Sequence, residues 1–247
     1  MPVRGLYFGI VIVLVGCAAP IPREEDAHFE AARRLQEDRA EKGALRLYRE
    51  YMERYPGRAR AEVALQKSFE IALRHFQTGW GGRALSELLE SHPAAPLAGE
   101  AAFRVGEYHF SRGEFEDAIA AFKRVMRDYR ESERLEGAVF FIGESHLGQY
   151  EGVNYDRTPL EDAKAQYEML LASFPTGVYA QRGRERLREI DGELAGRDYA
   201  AALFYAGRGR QKSARVYLEA ILRDYPQTGY AALAQEMLSR QQAEGGR

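Results

Sequence analysis

Ala163-Lys-Ala-Gln-Tyr167-Glu-Met-Leu-Leu-Ala-Ser-Phe-Pro175 is the stretch on which the fold turns. A small residue is followed four positions later by an aromatic one and twelve positions later by a proline. The register recurs along the chain. Ala44, Tyr48 and Pro56 hold it, as do Ala84, Leu88 and Pro96, and Ala214, Leu218 and Pro226; Ala118 and Phe122 hold it with Arg130 where the proline would stand. Residues four apart share a helix face. Each alanine therefore marks a close approach of two helices, and the larger residue after it fills the seam. Proline lacks an N–H and restricts the residue before it, so it closes the helix. Twelve residues before the alanine, Ala32, Ala72, Gly106 and Ala202 supply a second small residue for the preceding helix.

This register resembles the tetratricopeptide repeat. The expected fold class is all-α, a tetratricopeptide-repeat solenoid of about five helix pairs plus a C-terminal capping helix. From residue 17 onward there are 7 Val, 6 Ile and 4 Thr against abundant Ala, Leu, Glu and Arg, a composition that favours helix over strand. The marker alanines are spaced by 40, 34, 45 and 51 residues, whereas a standard repeat has ~34. Between Ala118 and Ala163 the surplus falls in a loop, Gly148 to Arg157. It ends at Thr158-Pro-Leu-Glu161, which reads as a capping box with proline at the first helical position. Between Ala163 and Ala214 the surplus is helical in pattern from Val178 to about Ala206, which predicts an unusually long first helix in the fifth pair. The amphipathic stretch Tyr230 to Gln242 would close the array.

The first sixteen residues differ from the rest. Arg4 precedes Leu6 to Val15, an uncharged apolar run of ten residues. That is shorter than the ~20 needed to span a bilayer and fits the hydrophobic part of a secretory signal. Leu14-Val15-Gly16-Cys17 resembles the bacterial lipobox, in which a small residue gives a peptidase access and the cysteine thiol takes up a diacylglyceryl group. Residues 1–16 are expected to be a lipoprotein signal peptide, 17–25 a lipidated tether and 26–247 the repeat domain. Cys17 is the only cysteine, so no internal disulfide can form, and the covalent lipid on Cys17 is the only attached group expected. By resemblance to lipoprotein sorting, Ala18 in place of an inner-membrane retention signal favours the periplasmic face of the outer membrane.

The lipobox, the five repeats, the loop sequence Gly152-Val-Asn-Tyr-Asp-Arg-Thr-Pro159 and Ile221-Leu-Arg-Asp-Tyr-Pro-Gln-Thr228 together resemble the BamD family, lipoproteins of the β-barrel assembly machinery. The resemblance implies a scaffold in the outer membrane. Its C-terminal repeats would bind a BamA-like barrel assembly subunit beside other assembly lipoproteins, and its N-terminal repeats would receive unfolded outer-membrane proteins. Stacked helix pairs leave a groove suited to such peptides. Cys17 is the one functional residue that the resemblance places. Arg210, Tyr217 and Arg223 in the fifth pair are candidate partner contacts by region. Tyr150, Asn154, Tyr155, Asp156 and Arg157 are candidates because long loops on rigid arrays carry binding, although the loop could equally brace its neighbour. Trp80, the sole tryptophan, lies in Gly79-Trp-Gly-Gly82, read as a turn between paired helices; it is either a lid over the repeat edge or a partner anchor. The run Gln181 to Arg188 reads as a solvated helix face, or else as a contact for an acidic surface or lipid head groups.

No nucleophile motif, phosphate loop or ligand-spaced His/Cys set is present, so an enzyme is not expected. His75, His109 and His146 occupy equivalent positions in successive repeats, and equivalence keeps them ~8–10 Å or more apart, too far to share a metal. No metal site is therefore expected. Without residues 1–16 the charge is 34 − 37 = −3, which gives no reason to expect nucleic acid. The alternative function is another cell-envelope repeat adaptor, serving Tol-Pal, cell division or export.

Overall fold

The computed structural model describes residues 24–152 and 155–245, the last four as backbone alone. The signal peptide, Cys17, the tether up to Arg23 and Asn154 lie outside the described residues. Among the described residues there are eleven helices and no strand. They run as α1 (Glu24–Glu37), α2 (Glu41–Arg54), α3 (Ala59–Arg74), α4 (Gly79–Ser91), α5 (Ala98–Ser111), α6 (Phe115–Asp128), α7 (Leu135–Gly148), α8 (Thr158–Ser173), α9 (Ala180–Gly207), α10 (Gln211–Asp224) and α11 (Gly229–Gly245). Five pairs and a closing helix make this the tetratricopeptide arrangement. The chain falls into two compact units that divide between Ala64 and Leu65.

In the first unit α1 packs on α2. Ala32 and Ala44 are fully buried, and the Phe29 ring meets Tyr48 and Tyr51 edge-on at 5.5 and 5.4 Å. The acidic first turn of α1 suits the positive end of the helix dipole, and it is also paired. Arg54 bonds Glu24, Arg58 lies 3.6 Å from Glu25 and Arg60 lies 3.3 Å from Asp26. The Tyr51 hydroxyl donates to Glu25 Oε1 at 2.9 Å; burial, then that carboxylate, push its pKa up to about 12.

In the second unit each helix from α4 onward packs on the next, and α11 also touches α9. The marker alanines Ala118, Ala163 and Ala214 are fully buried, as are Phe122, Tyr167 and Leu218 four residues on. Gly106 shows why the preceding helix needs a small residue. A Cβ there would lie 2.5 Å from Phe122 Cε1. In α9, which runs for 28 residues, the stripe Ile190, Leu194, Ala195, Asp198 and Ala202 is buried at helical spacing.

Two sequence expectations are corrected. Pro96 does not close α4: the helix ends at Ser91 with His92 as its C-cap, and Pro93 is the proline that follows. Restriction of the residue before a proline ends the helix one turn early. Pro56, Pro175 and Pro226 do follow their C-cap residues Tyr55, Phe174 and Tyr225 directly. Nor does Thr158 cap α8 through a capping box. Thr158 is already helical, and the Asp156 carboxylate accepts from its N–H at 3.0 Å and its hydroxyl at 2.8 Å. Glu161 turns instead to Arg157, 2.7 Å away.

Candidate interaction surface on the last helix pairs

The described residues between α7 and α8 are fastened at several points. Gln149 Nε2 donates to Glu116 Oε1 at 2.8 Å. The Tyr150 hydroxyl donates to Glu193 Oε1 at 2.7 Å; burial, then this carboxylate, raise its pKa. Arg197 of α9 donates to the carbonyl oxygens of Tyr155 at 2.7 Å and Gly152 at 3.3 Å, and to the Tyr150 hydroxyl at 3.4 Å. Charged donors on carbonyls make the stronger class of hydrogen bond. The Tyr155 side chain is left 59% exposed.

At the end of the loop Arg157 joins three helices. Its Nη1 donates to Asp198 Oδ1 of α9 and its Nη2 to the Tyr225 hydroxyl after α10, both at 3.3 Å. Burial disfavours the Arg157 charge, but Asp198 and Glu161 outweigh that and raise its pKa. For Asp198 the balance goes the other way: burial raises its pKa in spite of Arg157. Nearby, Lys164 bonds Asp191 Oδ1 at 2.6 Å and lies over the Tyr225 ring.

The other sequence candidates are spread out. Arg210 is the exposed N-cap of α10, and Arg223, also exposed, ends that helix paired to its neighbour Asp224 at 2.8 Å. Thirteen residues of helix separate them by ~20 Å, so they cannot serve one contact point. Tyr217 stacks on Tyr205 at 5.6 Å. Trp80 lies in the first turn of α4 rather than in an inter-helix turn, because Thr78 is the N-cap. Its ring packs on His75 at 4.6 Å, far along the chain from the loop.

The residues missed in the sequence are Glu193, Arg197 and Asp198. Asp198 had a legible signal, a carboxylate in phase with the apolar positions Leu194 and Ala202. A further feature lies where α9 meets α10. From Tyr199 to Leu218 there is no acidic residue, while Arg208, Arg210, Lys212 and Arg215 are basic. Leu203, Phe204 and Val216 are 50, 54 and 64% exposed in the same hairpin. Arg208 lies over the Phe204 ring at 3.7 Å, a cation–π contact. Exposed apolar side chains beside basic ones make a surface type complementary to an acidic, partly apolar one.

The fold defines a helical-repeat protein of the tetratricopeptide class. The chain belongs to the YfiO family, described as outer membrane lipoprotein, whose model matches residues 62–245. This agrees with the BamD resemblance in the sequence and associates the protein with the outer membrane. The outer membrane protein assembly factor BamD of Caulobacter vibrioides is 21% identical over 144 residues, covering 58% of this chain and 47% of that protein. The chain thus spans about half the length of this curated relative. Among solved structures, pilF of Pseudomonas aeruginosa aligns with a TM-score of 0.35 at 16% identity, covering 87% of this chain and 97% of that one. PilW, a type IV pilus biogenesis factor, aligns at 0.34 and 12% identity, covering 87% and 98%. At these scores the fold rests on the helix pairs themselves. No helix among the described residues is long and apolar enough to cross a membrane.

Proposed function

We propose that this protein is a non-enzymatic scaffold of the β-barrel assembly machinery, held at the periplasmic face of the outer membrane by lipid on Cys17. In this reading the α9–α10 hairpin docks a BamA-like subunit and the fastened loop holds that hairpin in place. Family membership supports the envelope setting. The observation that carries the docking surface is the end of the hairpin from Tyr199 to Leu218, with four basic residues, no acidic one, and Leu203, Phe204 and Val216 exposed. Unfolded outer-membrane proteins would be received earlier in the second unit, at an open cleft of about 490 Å³ where Leu73, Phe76 and Leu97 are flanked by Arg74, Glu100 and Arg104. Apolar walls with charged rims suit an extended peptide.

The test is site-specific photo-crosslinking in cells from positions 204 and 216, with mass spectrometry of the adducts. Crosslinking to a BamA-like barrel protein, abolished by Arg208→Glu with Arg215→Glu, is the expected result. Adducts confined to pilus, division or export proteins would replace this reading by an adaptor role elsewhere in the envelope. Cys17→Ala is expected to release the protein from the outer-membrane fraction without changing its helix content.

A further inference from the structure

The turn between α5 and α6 brings three metal-ligating side chains together. His109 Nδ1 lies 2.8 Å from Glu114 Oε2, and one ligand atom from each of His109, Glu114 and Asp117 lies within 4.8 Å of the others. The backbone beneath them is tied. The His109 carbonyl accepts from the N–H of Arg112 and of Glu114, both at 3.0 Å, and the Glu114 carbonyl accepts from Ala118 at 3.0 Å. Gly113 takes the left-handed conformation that closes such a turn, φ 73°. Glu114 is the N-cap of α6 and Asp117 sits in its first turn.

The repeat would gather any three residues at these positions, and packing does not demand these ones. The same offsets from the marker alanines hold Leu35, Ala40 and Gly43 in the first pair and Tyr205, Arg210 and Ser213 in the fifth. Histidine, glutamate and aspartate meet only in the third. The histidines equivalent to His109 stand in other repeats; its partners are carboxylates from the next helix.

We propose that His109, Glu114 and Asp117 form a binding site for a divalent transition metal of the zinc class. Imidazole nitrogen and carboxylate oxygen are both zinc ligands, and water is free to complete a tetrahedron. Ligands ~2.0–2.2 Å from zinc stand ~3.3–3.6 Å apart, so the His109–Glu114 pair, at 2.8 Å, must open by ~0.5–0.8 Å and the widest pair, within 4.8 Å, must close by at most ~1.5 Å, within reach of side-chain rotation on a fixed turn. On binding, the imidazole proton resides on Nε2 and the Nδ1 lone pair goes to the metal. Arg112 Nε competes, because it donates to Glu114 Oε1 at 2.7 Å. Hydrogen bonds from Arg112 and His109 also hold the Glu114 pKa below its ordinary value, so the carboxylate is ionised and ready to ligate. Bound metal would cross-link the end of α5 to the start of α6.

The experiment uses the full-length chain in detergent, without an affinity tag, stripped with chelator and titrated calorimetrically with zinc chloride. One saturable site is expected, weakened at least tenfold by His109→Ala and several-fold by Asp117→Asn, and tightened several-fold by Arg112→Ala. His75→Ala should leave it unchanged. Cobalt in place of zinc should give the intense d–d absorption of a tetrahedral site in the wild type and lose it in Asp117→Asn, whose exposed position keeps the fold intact. No saturable binding by the wild type, or undiminished binding by His109→Ala, would overturn the proposal. Neither result bears on the docking role of the α9–α10 hairpin, which crosslinking reads separately.

Discussion

The guanidinium of Arg197 donates at 2.7 Å to the backbone carbonyl of Tyr155, so the longest of the described helices, α9, holds the chain that precedes α8. The described residues on either side of positions 153 and 154 are thereby tied to α9.

Removing that clamp should loosen the loop more than the fold. Arg197→Ala deletes one close hydrogen bond and two longer ones and is expected to lower global stability by about 1–2 kcal/mol. Amide exchange at 150–152 and 155–157 should rise well beyond that in α8 or α9. Hydrogen–deuterium exchange with parallel denaturant unfolding reads both. Equal acceleration throughout α9 would show Arg197 to be a general stabiliser instead.

Asp198 gives a pH dependence of definite sign. Burial raises its pKa above the ordinary value of 3.8, so the native state binds this proton more tightly than the unfolded chain does. The stability contributed by the group is therefore full below pH 3.8 and is lost as pH rises through the raised value. Asp198→Asn removes the titration. The unfolding free energy of wild type minus variant should fall with rising pH from just under 3.8 and level off above the native pKa. Denaturant unfolding of both proteins across that range measures it. A difference that grows with pH would mean that the pair with Arg157 outweighs burial.

Arg39 should be improvable. It occupies the α1–α2 turn at φ 60°, where the equivalent residues of the third and fifth pairs are Gly113 and Gly209 at 73° and 71°. A side chain in the left-handed region is strained, and glycine is not. Arg39→Gly is expected to raise the stability of the first unit by about 0.5–1 kcal/mol. Thermal unfolding followed by exchange in α1 and α2 would register it.

Two glycines in helices should respond oppositely to alanine. At Gly106 the new methyl would meet Phe122, which is fully buried against Phe103 and Phe141 and has no room to withdraw. Overpacking of ~1–3 kcal/mol set against the helix-propensity gain of ~1 leaves Gly106→Ala destabilising by up to about 2 kcal/mol. At Gly192 nothing lies within 4 Å, and Gly192→Ala should stabilise α9 by about 0.5–1 kcal/mol. Equilibrium unfolding of the two variants side by side checks the sign of each.

The sequence by itself determined the helix pairs, because a repeat is a local object. Ala163 and Tyr167 share a helix face whatever surrounds them, and Pro175 ends the helix through its own backbone. It also marked the long α9 and the position of the loop. Only tertiary structure decided what the loop does. Arg197 and Glu193 stand on a charged helix where every Arg and Glu looks alike, and their partners Tyr155 and Tyr150 lie more than forty residues away. Arg157, Asp198 and Tyr225 meet from three elements whose mutual packing sets each distance. Likewise His109 was compared with its own repeat equivalents, while the carboxylates of Glu114 and Asp117 were brought to it by the turn. Periodicity is written in neighbouring residues; the direction of a long side chain is set by what packs around it.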